Sequence, residues 1–183
     1  MAINLTKGQR VDVTLKNICV GLGWDPATGG MDFDLDASAF MIGSNGKCLS
    51  EDFFVYYNNP KSKDGAVESS GDDRTGGSSD GDDETLSVEI DKIDSRVEQI
   101  LFVVTIYDYE NRKQNFGQVR NSFIRIYNTL NNEELCRYDL EEDFSVESVI
   151  EFGRLYRRGG EWRFEAMGNG YRGGLEALVT KYI

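Results

Sequence analysis

The chain contains no histidine. That absence removes imidazole from every scheme: a Ser-His-Asp triad, a His-Glu-x-x-His zinc protease and a His-ligated deaminase are all excluded. Carboxylate or lysine general-base chemistry remains open. Cysteine is scarce as well. Cys19, Cys48 and Cys136 are odd in number, far apart and form no Cys-x-x-Cys pair, which indicates neither a disulfide framework nor a zinc knuckle. A reduced, cytoplasmic setting is the matching expectation. No run of eighteen apolar residues occurs, and MAINLTKGQRVDV lacks the apolar stretch of a secretory signal. Neither direct membrane insertion nor secretion is expected. Cations are also in deficit, with 20 Lys and Arg against 32 Asp and Glu and a net charge of −12 at pH 7. Binding phosphate backbones takes a basic face, so nucleic acid is not an expected partner.

What is present is a strand-rich pattern. A length of 183 residues suits one domain, 1–183, and nine Tyr and ten Phe argue against a disordered chain. Val11, Val13 and Leu15 alternate with Asp12, Thr14 and Lys16, and Phe33, Leu35, Ala37 and Ala39 share one face. FFVYY (53–57) and ILFVVTIY (100–107) read as strands buried on both faces. SFIRIYN, SVIEFGRLYR and EWRFEAM complete the set, punctuated by Asn45-Gly46, Asp64-Gly65, Asn131-Asn132 and Gly159-Gly160. One amphipathic helix is expected, at the end, where Leu175, Leu178, Val179 and Ile183 fall near helical spacing; a short turn is expected around 140–144. The fold class is mostly β: an antiparallel β-sandwich with a short C-terminal helix and a long acidic loop.

Two acidic clusters carry the chemistry. Asp32, Asp34 and Asp36 alternate along a strand, which sets their carboxylates on one face at roughly 7 Å intervals. Each neighbouring pair then repels by about 2 kcal/mol at an effective dielectric near 20. The stretch is either a solvated sheet face or a place for something positive. It is not a helix-loop-helix calcium loop, because the sixth position is Ala37 and the twelfth Gly43. The second cluster, DGAVESSGDDRTGGSSDGDDE (64–84), holds eight acids and only Arg74 among bases. Its Asp72, Asp73, Asp80, Asp82, Asp83 and Glu84 are interleaved with glycines that let the backbone curl. Hard carboxylate oxygens without histidine or paired cysteine suit calcium rather than softer metals. Asn58 and Asn59 add oxygens if they are not simply a turn. GNGYRG (168–173) fits a dinucleotide fingerprint only in letters, since ten residues remain after it, and GSNGKC (43–48) is too short for a phosphate loop.

The blocks GLGWD (21–25), DFDLDASAF (32–40), FVYYNNP (54–60), SGDDRTGGSSDGDDE (70–84), VVTIYD (103–108) and FGQVRNSFIRIYN (116–128) resemble the signature blocks of the TerD family. RYDLEED (137–143) and GRLYRRGGEWRFEAMGNGYRGGL (153–175) extend the resemblance over nearly the whole chain. It implies a cytoplasmic calcium-binding β-sandwich of the tellurite-resistance and stress-response group, not known as an enzyme class, working with a membrane-embedded protein of the same resistance system. It also implies calcium ligands at Asp34 and Asp36, with Asp32 beside them, and at Asp72, Asp80, Asp82, Asp83 and Glu84. Asp73 stands where the family often has Asn, and Ser78-Ser79 interrupts the family's acidic run.

The functional expectation is a non-enzymatic sensor or adaptor holding one or two Ca²⁺. Two alternatives are a metal-dependent phosphoester hydrolase, with Asp82 or Glu84 activating a metal-bound water, and a cyclic-nucleotide-binding module. The first has only Arg74 within the loop to hold a leaving phosphate; the second rests only on a relative of the family.

Overall fold

In this computed structural model the described residues are 2–30, 32–70 and 81–183. The described strands are β1 (Ile3–Leu5), β2 (Arg10–Val13), β3 (Asn17–Gly23), β4 (Leu35–Gly43), β5 (Phe54–Val55), β6 (Val67–Ser69), β7 (Glu84–Glu89), β8 (Val97–Ile106), β9 (Phe123–Asn128), β10 (Glu134–Asp139), β11 (Val149–Arg158) and β12 (Glu161–Tyr171). Two helices accompany them, the single turn α1 (Tyr109–Arg112) and the terminal α2 (Gly174–Tyr182). The strands form two six-stranded sheets, β1-β10-β9-β3-β7-β6 and β2-β12-β11-β8-β4-β5. The expected sandwich is present, with one exception to its antiparallel pairing: β1 runs parallel to β10.

Period-two patterning builds the core. Ile18, Val20 and Leu22 of β3, Leu86 and Val88 of β7, and Ile124 and Ile126 of β9 face Leu35, Ala37, Ala39 and Met41 of β4 and Ile100, Phe102 and Val104 of β8. Each side chain of this size stabilises the fold by about 1.5–3 kcal/mol when fully buried. β11 changes parity midway. Ile150 and Phe152 point inward and so does Leu155, because the register shifts between Glu151 and Gly153 against both neighbours. Such an extra residue re-aims the side chains that follow it.

β4 and β8 are buried on both faces because α2 covers the outside of the second sheet. Leu175, Leu178, Val179 and Tyr182 pack on Phe40, Ile42, Phe54, Leu101, Val103 and Val149. The helix begins at Gly174, preceded by Gly173, and these two residues, at φ 65° and 100°, take left-handed conformations that side chains rarely adopt. Its end is clamped by Glu151, only 1% exposed, whose carboxylate accepts hydrogen bonds from the Tyr182 hydroxyl (2.5 Å), the Tyr171 hydroxyl (2.9 Å) and Lys181 Nζ (3.2 Å). The GNGYRG segment is therefore the last stretch of β12 plus the turn into α2, not a turn throughout.

Three local expectations need correction. Residues 53–57 do not form a long strand: a 3₁₀ turn at Glu51–Phe53 leads into the two-residue β5, and Tyr56 and Asn59 then close a tight turn through paired backbone hydrogen bonds. Aromatic stacking of Phe40 on Phe54 and Phe54 on Tyr56 replaces ladder pairing there. Residues 140–144 form neither the expected turn nor any helix or strand. The runs at β3 and β10 are full strands that alternation did not single out, because Gly21, Gly23 and Cys136 blur the pattern.

Candidate functional site

The two acidic segments meet where β4 leaves its sheet edge uncovered. β5 pairs with β4 only at Ala39 and Phe40, so among the described residues the edge at residues 35–37 has no strand partner on that side. Glu84, first residue of β7 in the opposite sheet, reaches across and its Oε2 accepts a hydrogen bond from the Ala37 backbone N–H. This draws a carboxylate 5% exposed beside the strand that carries Asp36, itself 9% exposed. Asp36 lies on the outer face of β4, in the same row as Phe40 and Ile42 and opposite Thr105. Burying carboxylates is costly unless hydrogen bonds or a cation compensate.

The neighbouring acids are each placed differently. Asp34 sits at the mouth of β4, where Tyr107 N–H donates to its carbonyl (2.8 Å) and Arg112 Nη2 approaches its Oδ2 at 3.6 Å. Asp32 is exposed, and its backbone carbonyl accepts from Gln114 Nε2 (3.2 Å). Asp83 Oδ2 accepts from the Trp24 backbone N–H (2.8 Å), which pins the approach to β7 against the end of β3. Asp82 turns elsewhere. Its two oxygens accept from Arg125 Nε and Nη2, both at 2.8 Å, on the outer face of the first sheet. Planar guanidinium-carboxylate forks of this kind are among the stronger hydrogen-bonded pairs. The carboxylate lies directly over Gly21, where an added Cβ would fall 2.5 Å from its Cγ. A glycine at that position is thus a requirement of the ion pair.

Asn58 is exposed, while Asn59 uses its Nδ2 to hold the Phe54 carbonyl at 2.7 Å within the 56–59 turn. Asp72, Asp73 and Asp80 lie outside the described residues. Among the described residues, no group of three or more Asp, Glu, Cys or His side chains stands close enough to hold a metal ion. The structure therefore brings Glu84 to the strand of Asp36, leaves Asp32 and Asp34 ahead of that strand where the sequence placed all three along it, ties Asp83 to β3, and pairs Asp82 with Arg125. Reading the sequence missed Arg125, Gly21 and Arg112. Alternation in SFIRIYN puts Arg125 on the outer face, yet no pattern names its partner. Among the described residues no helix is long and apolar enough to cross a membrane.

The TerD domain family matches residues 1–182. The tellurium resistance protein TerD of Serratia marcescens is 50% identical over 188 residues, spanning 100% of this chain and 97% of that protein. General stress protein 16U of Bacillus subtilis (strain 168) is likewise 50% identical, over 189 residues with the same coverage. The crystal structure of a homologue of telluride resistance protein TerD from Streptomyces coelicolor A3(2) superposes with a TM-score of 0.73 at 22% identity, covering 90% of this chain and 95% of that one. That likeness speaks to the fold.

Proposed function

Since the chain belongs to the TerD family of tellurium-resistance and general stress proteins, we propose that it is a non-enzymatic calcium-binding member of that group. Asp34, Asp36 and Glu84 would supply carboxylate oxygens to one or two Ca²⁺, with Asp32 and Asp83 alongside and further oxygens from Asp72, Asp73 and Asp80. The observation that supports this most is the reach of Glu84 to the open edge of β4. It joins two acidic segments distant in sequence at a place where their mutual repulsion needs an opposing charge. Calcium tolerates irregular shells of six to eight oxygens, so it suits a site assembled from a strand end and a loop. Asp82 is better read as a structural anchor, because both its oxygens serve Arg125.

In this role the protein is a sensor or adaptor. Binding would order the junction between the sheets and alter the surface offered to a protein partner, with a membrane-embedded component of the resistance system as the proposed class of partner. No observation favours catalysis or a cyclic nucleotide over this reading. The test is a calcium titration of chelator-treated protein, followed by calorimetry and thermal melting. Saturable binding with a raised melting temperature is expected; a melting temperature unmoved by millimolar calcium would overturn the proposal.

A further inference from the structure

A cleft of about 380 Å³ opens on the far side of the 107–114 segment, between it and the glycine-containing loop after β3. We propose that it is a binding site for a small dianionic oxyanion, namely inorganic phosphate or a phosphate group carried on a small molecule. Its charge runs against that of the whole chain. Arg112, Lys113 and Arg120 line it against a single carboxylate, Asp25, in a protein of net charge −12. Three gathered cations repel one another. Arg112 is partly offset by its ion pair with Asp34 at 3.6 Å and lies over the Tyr107 ring, 5.6 Å from its centroid, while no carboxylate among the described residues pairs with Lys113 or Arg120.

The remaining polar groups are set up as donors. Asp25, the one carboxylate among the lining residues, is engaged at one oxygen, its Oδ2 accepting from Asn121 Nδ2 at 2.6 Å. Gln118 Oε1 accepts the Asn115 backbone N–H (2.9 Å), which leaves its amide hydrogens directed elsewhere. Thr28 contributes a hydroxyl. Backbone constraints set where the exposed Lys113 and Arg120 side chains start. Lys113 is locked at φ 52° at the end of α1, and the Arg120 carbonyl accepts the Asp25 N–H at 2.9 Å, fastening that residue beside the loop. Guanidinium and ammonium groups lining one cleft with a hydroxyl and an amide match an oxyanion whose charge is spread over several acceptor oxygens. The site shares no residue with the calcium proposal, touches it only through the Arg112–Asp34 ion pair, and is tested without calcium.

The test is a titration of inorganic phosphate, and separately of glycerol phosphate, into the full chain in calcium-free buffer, followed by ¹⁵N NMR. Saturable shifts confined to Thr28, Gly29, Gly30, Lys113 and the Arg120 side chain are expected, weakening as ionic strength rises. Tighter binding of one probe tells whether the phosphate is free or carried. The double variant Lys113→Asn, Arg120→Gln should weaken binding about tenfold or more; asparagine tolerates the left-handed backbone at 113, and Arg120 is exposed, so the fold should hold. Arg158→Ala, a surface cation elsewhere, should leave binding unchanged. The proposal is overturned by shifts spread evenly over Lys7, Arg158 and Arg172, by no saturation at about 10 mM phosphate, roughly ten times a millimolar dissociation constant, or by undiminished binding in the double variant.

Discussion

The substitution Glu84→Gln gives the calcium reading its sharpest test, because the expected effect changes sign with the ion. Glutamine keeps the shape of the side chain and can still accept the Ala37 N–H. It converts a charged hydrogen bond into a neutral one, a loss of about 1 kcal/mol. Against that stands the repulsion relieved. Two carboxylates separated by ~6–8 Å oppose each other by about 2–3 kcal/mol at an effective dielectric near 20, and solvent reduces this further. Without calcium the variant should therefore melt at, or slightly above, the temperature of the parent protein. With free calcium at 100 times its dissociation constant, the parent gains about 2.7 kcal/mol per site. For a domain of this size that is roughly 5–11 °C, and the variant should gain little of it. The assay is a pair of melting curves for each protein, one in chelator and one in calcium, with a high-salt control. If Glu84→Gln responds to calcium as strongly as the parent, Glu84 is not a ligand and the meeting of the two acidic segments has another cause. Loss of stability by several kcal/mol in chelator would refute the electrostatic reasoning instead.

Two further outcomes follow from the geometry. Arg125→Ala leaves the Asp82 side chain, 7% exposed, without its bidentate partner over Gly21; urea unfolding should show a loss of about 2–4 kcal/mol, with little change in calcium affinity, and a loss under about 0.5 kcal/mol would discount the pair as an anchor. Burial pushes the Cys48 thiol up to about 11 and the Cys136 thiol up to about 12. Since the thiolate is the reactive form, a disulfide reagent should modify the native chain slowly at pH 7. The rate at Cys48, the less buried of the two, should climb as pH approaches 11, and rapid reaction of Cys136 at neutral pH would contradict its burial.

Strand-level structure was legible because alternation has one physical cause: successive side chains in a strand face opposite ways. Alternation at 33–40 marked β4, observed at Leu35–Gly43, while the unbroken apolar run at 100–107 marked β8, observed at Val97–Ile106, as a strand buried on both faces. The signal failed at 53–57, where aromatic stacking holds a turn, and at Gly21 and Gly23, which contribute no side chain to the pattern. The helix at 174–182 could be read from its spacing, but not the carboxylate that clamps it. Glu151 is one outward residue in an ordinary strand, and its partners Tyr171, Lys181 and Tyr182 come from other elements.

The sequence by itself determined composition-level limits and local rhythm: no imidazole chemistry, two clusters of acid, a chain built of strands and one terminal helix. Tertiary structure alone decided which charges meet. Asp82 and Glu84 are two residues apart, yet one faces Arg125 outside the first sheet while the other crosses to β4. Strand parity would set both on the same face of β7; Asp82 precedes that strand, and the bend at 81–83 sends it the other way. The same holds for Arg112, Lys113 and Arg120, which converge only because the 107–120 segment folds back beside residues 25–30. Electrostatic energy depends on distance in space, and distance in space is fixed by how the sheets pack, not by the order of residues along the chain.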